Sequence, residues 1–249
     1  MATNARWAEA QRYERGFWEG LARRIETGAR GQLDWYGWKA RELEKRVFRW
    51  MGESDRAKAK VLEIGSGPIG IVSGLNWGER FAVDPLEGFY KNRDSLVALR
   101  NPSVKFLEGV GEDLPFDDGM FSLAIVDNVI DHTRSPSRIL EEVHRVLKPG
   151  GYMYLAVNVH TNWGAMVHEV LAVARVDRGH PHTFTVRRIS ELLRSSSFRV
   201  CSAESESYEE AKRKDCKAES LRARMKGYLG VSEFEYRAIC EKLVEGAHD

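Results

Sequence analysis

The sequence predicts an α/β fold in which helices cover both faces of a doubly wound, mostly parallel sheet. Short apolar runs alternate with stretches of helical periodicity between residues 61 and 159. The apolar runs are residues 61–64, 81–83, 104–107, 121–126 and 152–159. Strands that alternate with helices join through right-handed crossovers, and their ligands bind beyond the carboxyl ends of the strands. We therefore expect the functional residues at those ends.

The composition is that of an ordinary globular protein with almost no overall charge. The chain has 249 residues, 43% of them hydrophobic, and a formal net charge of +1. No global field attracts polyanions, so a nucleic-acid partner is not expected. The cysteines form no C-x-x-C pair and the histidines no H-x-x-x-H pair, so we predict no metal site. Without a signal core or an apolar run of about 18 residues, the sequence predicts a cytoplasmic protein with no membrane span.

Three regions follow from these patterns. Residues 1–53 contain two amphipathic stretches and are predicted to form an N-terminal helical cap or lid. Residues 54–205 form the core, including a helix predicted from Trp163 to Val176 after the fifth strand. Residues 206–249 are interpreted as a helical segment packed on that core, and Gly230 to Glu245 within it is predicted to be helical.

The N-terminal cap is rich in aromatic residues, and Gly28 and Gly31 supply the break between its two helices. Most of these rings are expected to pack the helices against the core. A few rings that face a cavity would give it apolar walls. The candidate pocket residues are Tyr13, Trp18, Trp35 and Tyr36.

A glycine loop directly follows the first predicted strand. Gly65, Gly67 and Gly70 lack side chains, which lets a ligand approach the backbone. The same glycines satisfy the G-x-G-x-x-G pattern, with Asp84 about 20 residues further on, so a dinucleotide remains an alternative ligand. Glu63 lies in the apolar strand before the loop, and a buried carboxylate needs a cationic group or loop amides. It would repel a diphosphate but suits a ligand that carries ammonium and sulfonium groups.

Four further segments bear on which ligand the glycine loop binds. They are VDPL (83–86), GEDLPF (111–116), DNVIDH (127–132) and RVLKPGG (145–151). Together with VLEIGSGPIG (61–70), in this order and spacing, they resemble the class I S-adenosylmethionine-dependent methyltransferases. The resemblance is strongest to the small-molecule branch related to ubiquinone-type methyltransferases, and it covers about residues 61–159. It implies a Rossmann-like core and S-adenosyl-L-methionine as the cofactor.

The resemblance also implies cofactor contacts after each strand. The methionine part would lie at Glu63, Gly65, Ser66 and Gly67, and near Asp127 or Asn128. Asp84 would bind the ribose hydroxyls, Pro85 and Leu86 would lie against the adenine, and Gly111 and Glu112 would recognise its edge.

Methyl transfer from a sulfonium is an in-line displacement, which a protein accelerates mainly by positioning and desolvation, with positioning alone supplying roughly 7–11 kcal/mol. A base is required only when the acceptor must lose a proton. His132 is the first candidate because it follows the fourth strand, on the cofactor side of the sheet. His160 and His182 are weaker candidates near the same rim.

The acceptor is constrained by one missing motif. Methyltransferases that act on exocyclic amino groups of nucleic acids typically carry an Asn/Asp-Pro-Pro-aromatic tetrad, whereas residues 127–130 read Asp-Asn-Val-Ile. An O, S, C or other N atom of an apolar or aromatic small molecule is therefore expected. The alternatives are a nucleotide-cofactor oxidoreductase, a non-catalytic cofactor-binding protein, and an RNA methyltransferase that uses the charged region 212–226.

Overall fold

The computed structural model describes residues 4–28, 34–173 and 180–243. The helix break predicted at Gly31, the end of the helix predicted from Trp163 to Val176, and residues 244–249 of the C-terminal segment lie outside these ranges. Among the described residues, no helix combines the length and the apolar character that crossing a bilayer requires.

The core is one seven-stranded sheet in the order β3-β2-β1-β4-β5-β7-β6. The strands are β1 (Lys60–Ile64), β2 (Glu79–Asp84), β3 (Val104–Glu108), β4 (Phe121–Asp127), β5 (Leu147–Val159), β6 (Phe198–Ser205) and β7 (Phe234–Lys242). The first five pair in parallel, and β7 pairs antiparallel with both β5 and β6. The predicted α/β class with a mostly parallel sheet is confirmed.

Helices cover both faces of the sheet. They are α1 (Asn4–Glu26), α2 (Trp35–Val47), α3 (Glu53–Ala57), α4 (Glu87–Tyr90), α5 (Asp94–Val97), α6 (Pro136–Val146), α7 (Asn162–Val173), α8 (Val186–Arg194), α9 (Tyr208–Lys217) and α10 (Leu221–Leu229). Two 3-10 helices span Ile71–Gly74 and Ile130–His132. The segment between β2 and β3 thus contains two short helices, α4 and α5, and no continuous helix.

Side-chain alternation along the central strands explains the two layers. Leu62 and Ile64 of β1 belong to the core beneath α6 and α8, whereas Val61 belongs to the core beneath α1 and α2. Strand β1 is therefore buried on both sides and apolar almost throughout, as is usual for parallel sheets. Glu63 is the exception, and it lies 3% exposed.

The helical interpretation of Gly230 to Glu245 is wrong, because Phe234–Lys242 forms β7. Phe234, Tyr236, Ala238 and Cys240 alternate along this strand and pack into the core beneath α6 and α8. The C-terminal segment thus contributes an interior strand to the sheet in addition to the helices α9 and α10.

Candidate functional site

A cavity lies beyond the carboxyl ends of β1, β2 and β4, with α1 and α2 on its opposite side. Its wall combines strand-end and loop residues with helix residues. The strand-end and loop residues are Glu63, Ile64, Gly65, Ser66, Gly67, Ile71, Asp84, Pro85, Leu86, Tyr90, Val110, Gly111, Glu112, Asp127, Asn128, Val129, His132, Thr133 and Ile139. The helix residues are Trp7, Gln11, Glu14, Trp18, Trp35, Tyr36 and Lys39. Every residue predicted to contact the cofactor lines this one cavity.

The glycine loop has left-handed backbone and no room for side chains. Gly65 and Gly67 have φ values of +66° and +59°, which glycine adopts readily. A Cβ atom at Gly65 would lie 2.4 Å from a methyl group of Val129, and one at Gly67 would lie 2.7 Å from the Tyr36 hydroxyl. The Gly65 amide donates to the Val83 carbonyl at 2.7 Å, which ties the loop to β2.

Glu63 shapes the loop from beneath. Its two carboxylate oxygens accept hydrogen bonds from the amides of Ile71 and Val72, each at 3.0 Å. These amides begin the 3-10 helix after the glycine loop, where the chain leaves N–H groups without helical partners. Burial raises the pKa of Glu63 to about 8, although the two amide bonds act in the opposite direction. The sequence left two partners open for Glu63, a cationic group or loop amides. In the structure its partners are loop amides.

Asp84 holds the loop from the side. Its carboxylate accepts hydrogen bonds from the amides of Gly67 and Leu86, each at 2.8 Å. The side chain is 7% exposed, and burial raises its pKa to about 6. Asp84 thereby fixes the end of β2 against the glycine loop and still lines the cavity. Pro85 and Leu86 continue the same wall.

Gly111 and Glu112 lie at the next strand end. A Cβ atom at Gly111 would lie 2.7 Å from Ile139 and 2.9 Å from Ile64, so the backbone packs directly on the core. The Glu112 carboxylate accepts a hydrogen bond from the Arg134 amide at 2.7 Å. It therefore links this segment to the loop before α6.

Asp127 and Asn128 follow β4. Asp127 pairs with the Lys39 ammonium of α2, a contact that joins the helical side of the cavity to the strand ends. Asn128 has a φ of +56°, a conformation that asparagine tolerates better than most residues. Its side-chain oxygen accepts a hydrogen bond from the Asn158 amide group at 3.1 Å.

The aromatic candidates divide into two groups. Trp18, Trp35 and Tyr36 line the cavity, and Trp35 stacks on Tyr36 with ring centroids 3.9 Å apart. The expectation for Tyr13 differs from the structure, because its ring is 50% exposed and does not line the cavity. The residues of α1 that do so are Trp7, Gln11, Glu14 and Trp18, spaced as one helix face.

Lys39, Trp7, Gln11 and Glu14 are cavity residues that the sequence analysis did not single out. The three residues on α1 could have been found from the sequence, because helical spacing places them on the same face as Trp18. Nothing in the pattern around Lys39 distinguishes it from a surface lysine.

The three histidine candidates lie in two places. His132 lines the main cavity, with Nδ1 3.6 Å from a Glu14 oxygen and Nε2 3.7 Å from an Asp131 oxygen. His160 and His182 instead line a smaller cavity nearby. The His182 ring contacts the Thr133 carbonyl at 3.0 Å, and burial lowers its pKa. Geometry thus favours His132 among the three.

With this geometry in hand, the chain can be compared with known proteins. A family model described as a methyltransferase domain matches residues 62–155, the stretch that carries the glycine loop, Asp84, Glu112 and Asp127. This part of the chain is a methyltransferase domain, and its similarity is to S-adenosylmethionine-dependent methyltransferases. The seven-stranded mixed sheet with helices on both faces is the Rossmann-like fold of methyltransferases.

The curated relatives match the chain over its central region. An uncharacterized methyltransferase of Synechocystis sp. is 40% identical over 67 residues, which cover 25% of this chain and 31% of the relative. Demethylmenaquinone methyltransferase of Chlorobaculum tepidum is 26% identical over 120 residues, 47% of each chain. The chain thus spans less than half the length of these relatives.

A solved structure extends the likeness of fold beyond that region. A chain from the complex between the Haloferax volcanii Trm112 methyltransferase activator and a methyltransferase superposes with a TM-score of 0.57 at 20% identity. The match covers 89% of this chain and all of the other. At this identity the likeness concerns the fold.

Proposed function

We propose that the protein transfers a methyl group from S-adenosyl-L-methionine to a small-molecule acceptor. The observation that carries the proposal is the cavity at the strand ends, where a glycine loop with no space for side chains lies between two buried carboxylates, Glu63 and Asp84. Family membership supports the cofactor, and the helix residues across the cavity support a separate acceptor side.

The residues present fit this cofactor. A Cβ at Gly65 or Gly67 would collide with Val129 or Tyr36, so the loop can offer a ligand only its backbone. Each oxygen of Asp84 accepts one amide hydrogen and keeps further acceptor capacity, which suits the two hydroxyls of a ribose. Asp84, Glu112 and Asp127 also line the cavity, and this acidic lining favours a cofactor that carries ammonium and sulfonium charges.

In this proposal the cofactor contacts follow the strand ends. Gly65, Ser66, Gly67 and Asn128 lie beside the methionine part, with Glu63 holding the loop in shape. Asp84 accepts the ribose hydroxyls, and Pro85, Leu86, Gly111 and Glu112 surround the adenine.

Lys39 adds a contact that no motif indicated. It is the one lysine or arginine among the described residues that line the cavity. Its ammonium pairs with Asp127 and lies 5.4 Å from the Trp35 ring centre. We infer that it binds the carboxylate of the methionine part, while Asp127 then faces the ammonium.

The bound cofactor supplies an electrophilic methyl group on sulfur. The chain's own contribution is to hold the acceptor atom in line behind that methyl group and to exclude water. Trp7, Trp18 and Trp35 form apolar walls for this purpose. His132 is the candidate base for an acceptor that must lose a proton, because it faces the cavity and two carboxylates, Glu14 and Asp131, flank its ring nitrogens.

The acceptor side lies against α1. Trp7, Gln11, Glu14 and Thr133 line it together with His132, so indole surface and a few polar groups would meet the acceptor. The matched relative named demethylmenaquinone methyltransferase supports an aromatic ring compound with an ionisable group. We infer an acceptor of this class, such as a quinol or phenol.

Calorimetric titration tests the cofactor proposal directly. S-adenosylhomocysteine should bind the protein at one site, and NADH should not bind. Asp84→Asn should weaken S-adenosylhomocysteine binding by about 10- to 100-fold, because a hydrogen bond to a charged group contributes about 1.5–3 kcal/mol. Asp117→Asn, an exposed aspartate in the loop before β4, is the matched control and should bind as the wild type does.

Product formation then tests the reaction. Incubation with S-adenosyl-L-methionine and a panel of quinols, phenols, thiols and amines should release S-adenosylhomocysteine with at least one quinol or phenol. Binding of NADH alone would contradict the methyltransferase proposal. Tight S-adenosylhomocysteine binding without turnover on the whole panel would favour the non-catalytic alternative.

A further inference from the structure

A separate and smaller cavity is lined by Asp131, the residue that precedes the candidate base His132. It encloses about 10 Å³, which is the size of one water molecule or metal ion. Its described lining is unusually rich in groups that bind metals, and it consists of Asp131, Asn158, His160, His168, His180, His182, Phe184 and Glu233.

Three of these residues converge from separate elements. His160 follows β5, His168 lies in α7, and Glu233 directly precedes β7. One ligand atom from each lies within 4.8 Å of the other two. The rings of His160 and His168 are 4.2 Å apart between centres, and His168 Nε2 is 3.6 Å from a Glu233 oxygen.

Two buried polar atoms around this cavity have no hydrogen-bond partner within the described ranges. One is Nδ1 of His160, which is 7% exposed, and the other is Oδ1 of Asp131, which is 4% exposed. A buried polar group without a partner costs about 1–3 kcal/mol. Both residues line the same small space. His160 is also one of the three converging residues, so a cation bound at its unpartnered nitrogen would offset this cost there.

The three donor groups suit a cation. Imidazole nitrogens of His160 and His168 and a carboxylate oxygen of Glu233 converge, and neutral imidazoles and ionised carboxylates are the forms that bind metals.

We propose that His160, His168 and Glu233 bind a divalent transition-metal ion, with Zn²⁺ as the best fit. Two imidazole nitrogens and one carboxylate oxygen match the preferences of this class, whereas Mg²⁺ and Ca²⁺ prefer oxygen ligands throughout. Bonds of about 2.0–2.2 Å put the ligands of a tetrahedral ion roughly 3.4 Å apart. Side-chain rotations that close the observed spacing by about 1 Å would complete the site.

Lys226 modulates this site. Its ammonium lies 2.5 Å from Oε1 of Glu233, the same oxygen that faces His168. The metal ion would therefore bind through Oε2 or replace the lysine. A filled site connects the end of β5, helix α7 and the start of β7, and an ion that binds only the folded state stabilises that state. Its role is structural and does not depend on the methyl-transfer proposal.

Metal titration of the full chain, without a histidine tag, tests the proposal. Protein stripped with a chelator and dialysed should bind one equivalent of Zn²⁺ in calorimetry, and Zn²⁺ should raise its unfolding temperature. Co²⁺ should produce the visible absorption of a four-coordinate site, and Mg²⁺ should change neither measurement.

Two variants and one matched control locate the ion. His168→Gln and Glu233→Gln should each weaken Zn²⁺ binding by more than about 100-fold, because even outer-shell partners contribute about 10- to 100-fold. His132→Gln should change it by less than about twofold, because its imidazole is not one of the three converging ligands.

The control addresses a neighbouring set, Asp131, His132 and His180, which also brings three ligand atoms within 4.8 Å. Metal-free His168→Gln and Glu233→Gln should match metal-free wild type in unfolding temperature and in S-adenosylhomocysteine affinity, which establishes that they fold. Loss of Zn²⁺ binding in His132→Gln but not in His168→Gln would overturn the assignment. A folded wild type that binds no Zn²⁺ would overturn it too.

Discussion

The two sides of the main cavity are built differently. The strand side consists of the glycine loop, Glu63 and Asp84, and both carboxylates are held by hydrogen bonds from backbone amides. The helix side consists of Trp7, Gln11, Glu14 and Trp18 of α1 with Trp35, Tyr36 and Lys39 of α2. It presents side chains, and among them Lys39 pairs across the cavity with Asp127.

This difference suggests that the two sides bind different ligands. A ligand that is the same in every relative can be bound by backbone and by fixed carboxylates, since nothing there needs to vary. A ligand that differs between relatives is better met by side chains on helices, which substitutions change without disturbing the sheet. We therefore expect the strand side to dominate cofactor affinity, and the helix side to hold the acceptor and to add smaller cofactor contacts through Trp18 and Lys39.

The largest effect is expected on the strand side, from Gly65→Ala. The new methyl group would lie 2.4 Å from Val129 in a backbone with φ of +66°, so the loop must move. S-adenosylhomocysteine affinity should fall by more than about 100-fold, or more than about 2.7 kcal/mol. Calorimetric titration measures it.

Gly150→Ala is the matched control for this substitution. Gly150 has a φ of +71°, but a Cβ there would meet no atom within 4 Å. It should lose about 1–2 kcal/mol of stability for the left-handed backbone alone, with cofactor affinity unchanged. Equal losses of affinity in the two variants would contradict the role of the loop as a backbone cradle.

A smaller effect is expected on the helix side, from Trp18→Ala. The Trp18 ring reaches to 3.1 Å from the position of a Cβ on Gly67, so it covers the loop. Its removal should weaken S-adenosylhomocysteine binding by about tenfold, or about 1.4 kcal/mol. Tyr13→Ala removes a half-exposed ring from the same helix and should change binding by less than about twofold. If Tyr13→Ala proved the more harmful, the assignment of the α1 face would be wrong.

The smallest effect concerns the dependence of stability on pH. The pKa of Glu63 is raised from 4.5 to about 8 by burial, so the folded protein holds a proton that the unfolded chain has already released. Its stability contribution is therefore lost as the pH rises towards 8. His160 has the opposite effect on stability below pH 6.5. Its pKa is lowered to about 4 in the folded protein, so stability rises with pH in that range. The window from pH 6.5 to 8 isolates Glu63 from His160.

Urea unfolding across that window measures the effect. The free energy of unfolding should decline by about 1 kcal/mol in the wild type and by clearly less in Glu63→Gln. Glu79→Gln, at an exposed position at the start of β2, should keep the wild-type slope. A slope that Glu63→Gln leaves unchanged would mean that Glu63 is ionised throughout.

The strand side could be predicted from the sequence because its chemistry depends on residue types that are informative by themselves. Glycines directly after a predicted strand and a carboxylate inside an apolar strand both indicate a ligand-binding loop, although they left the identity of the ligand open. On α1 the aromatic residues occur on more than one face, so the pattern could not separate Trp18 from Tyr13. Lys39 became recognisable only through Asp127, its partner 88 positions away.

Long-range pairing also explains the wrong prediction for the C-terminal segment. Phe234, Tyr236, Ala238 and Cys240 alternate with partly buried polar residues at Glu235 and Arg237, which is a period-2 pattern. The segments before it are helical, which favoured a helical interpretation here too. The pairing of β7 with β5 and β6 is a long-range contact that the local pattern does not show. The set His160, His168 and Glu233 is equally remote in sequence, so no motif spacing could indicate it.

The position of β7 has a consequence for synthesis of the protein. Strand β7 comes after β6 in the chain but lies between β5 and β6 in the sheet. A nascent chain that has emerged only as far as Ser232 therefore carries β6 without the neighbour that joins it to β5. Strands β6 and β7 therefore join the sheet together. They can do so only after residues 234–242 have emerged from the ribosome. A stop codon just before Phe234 would cost the protein both strands.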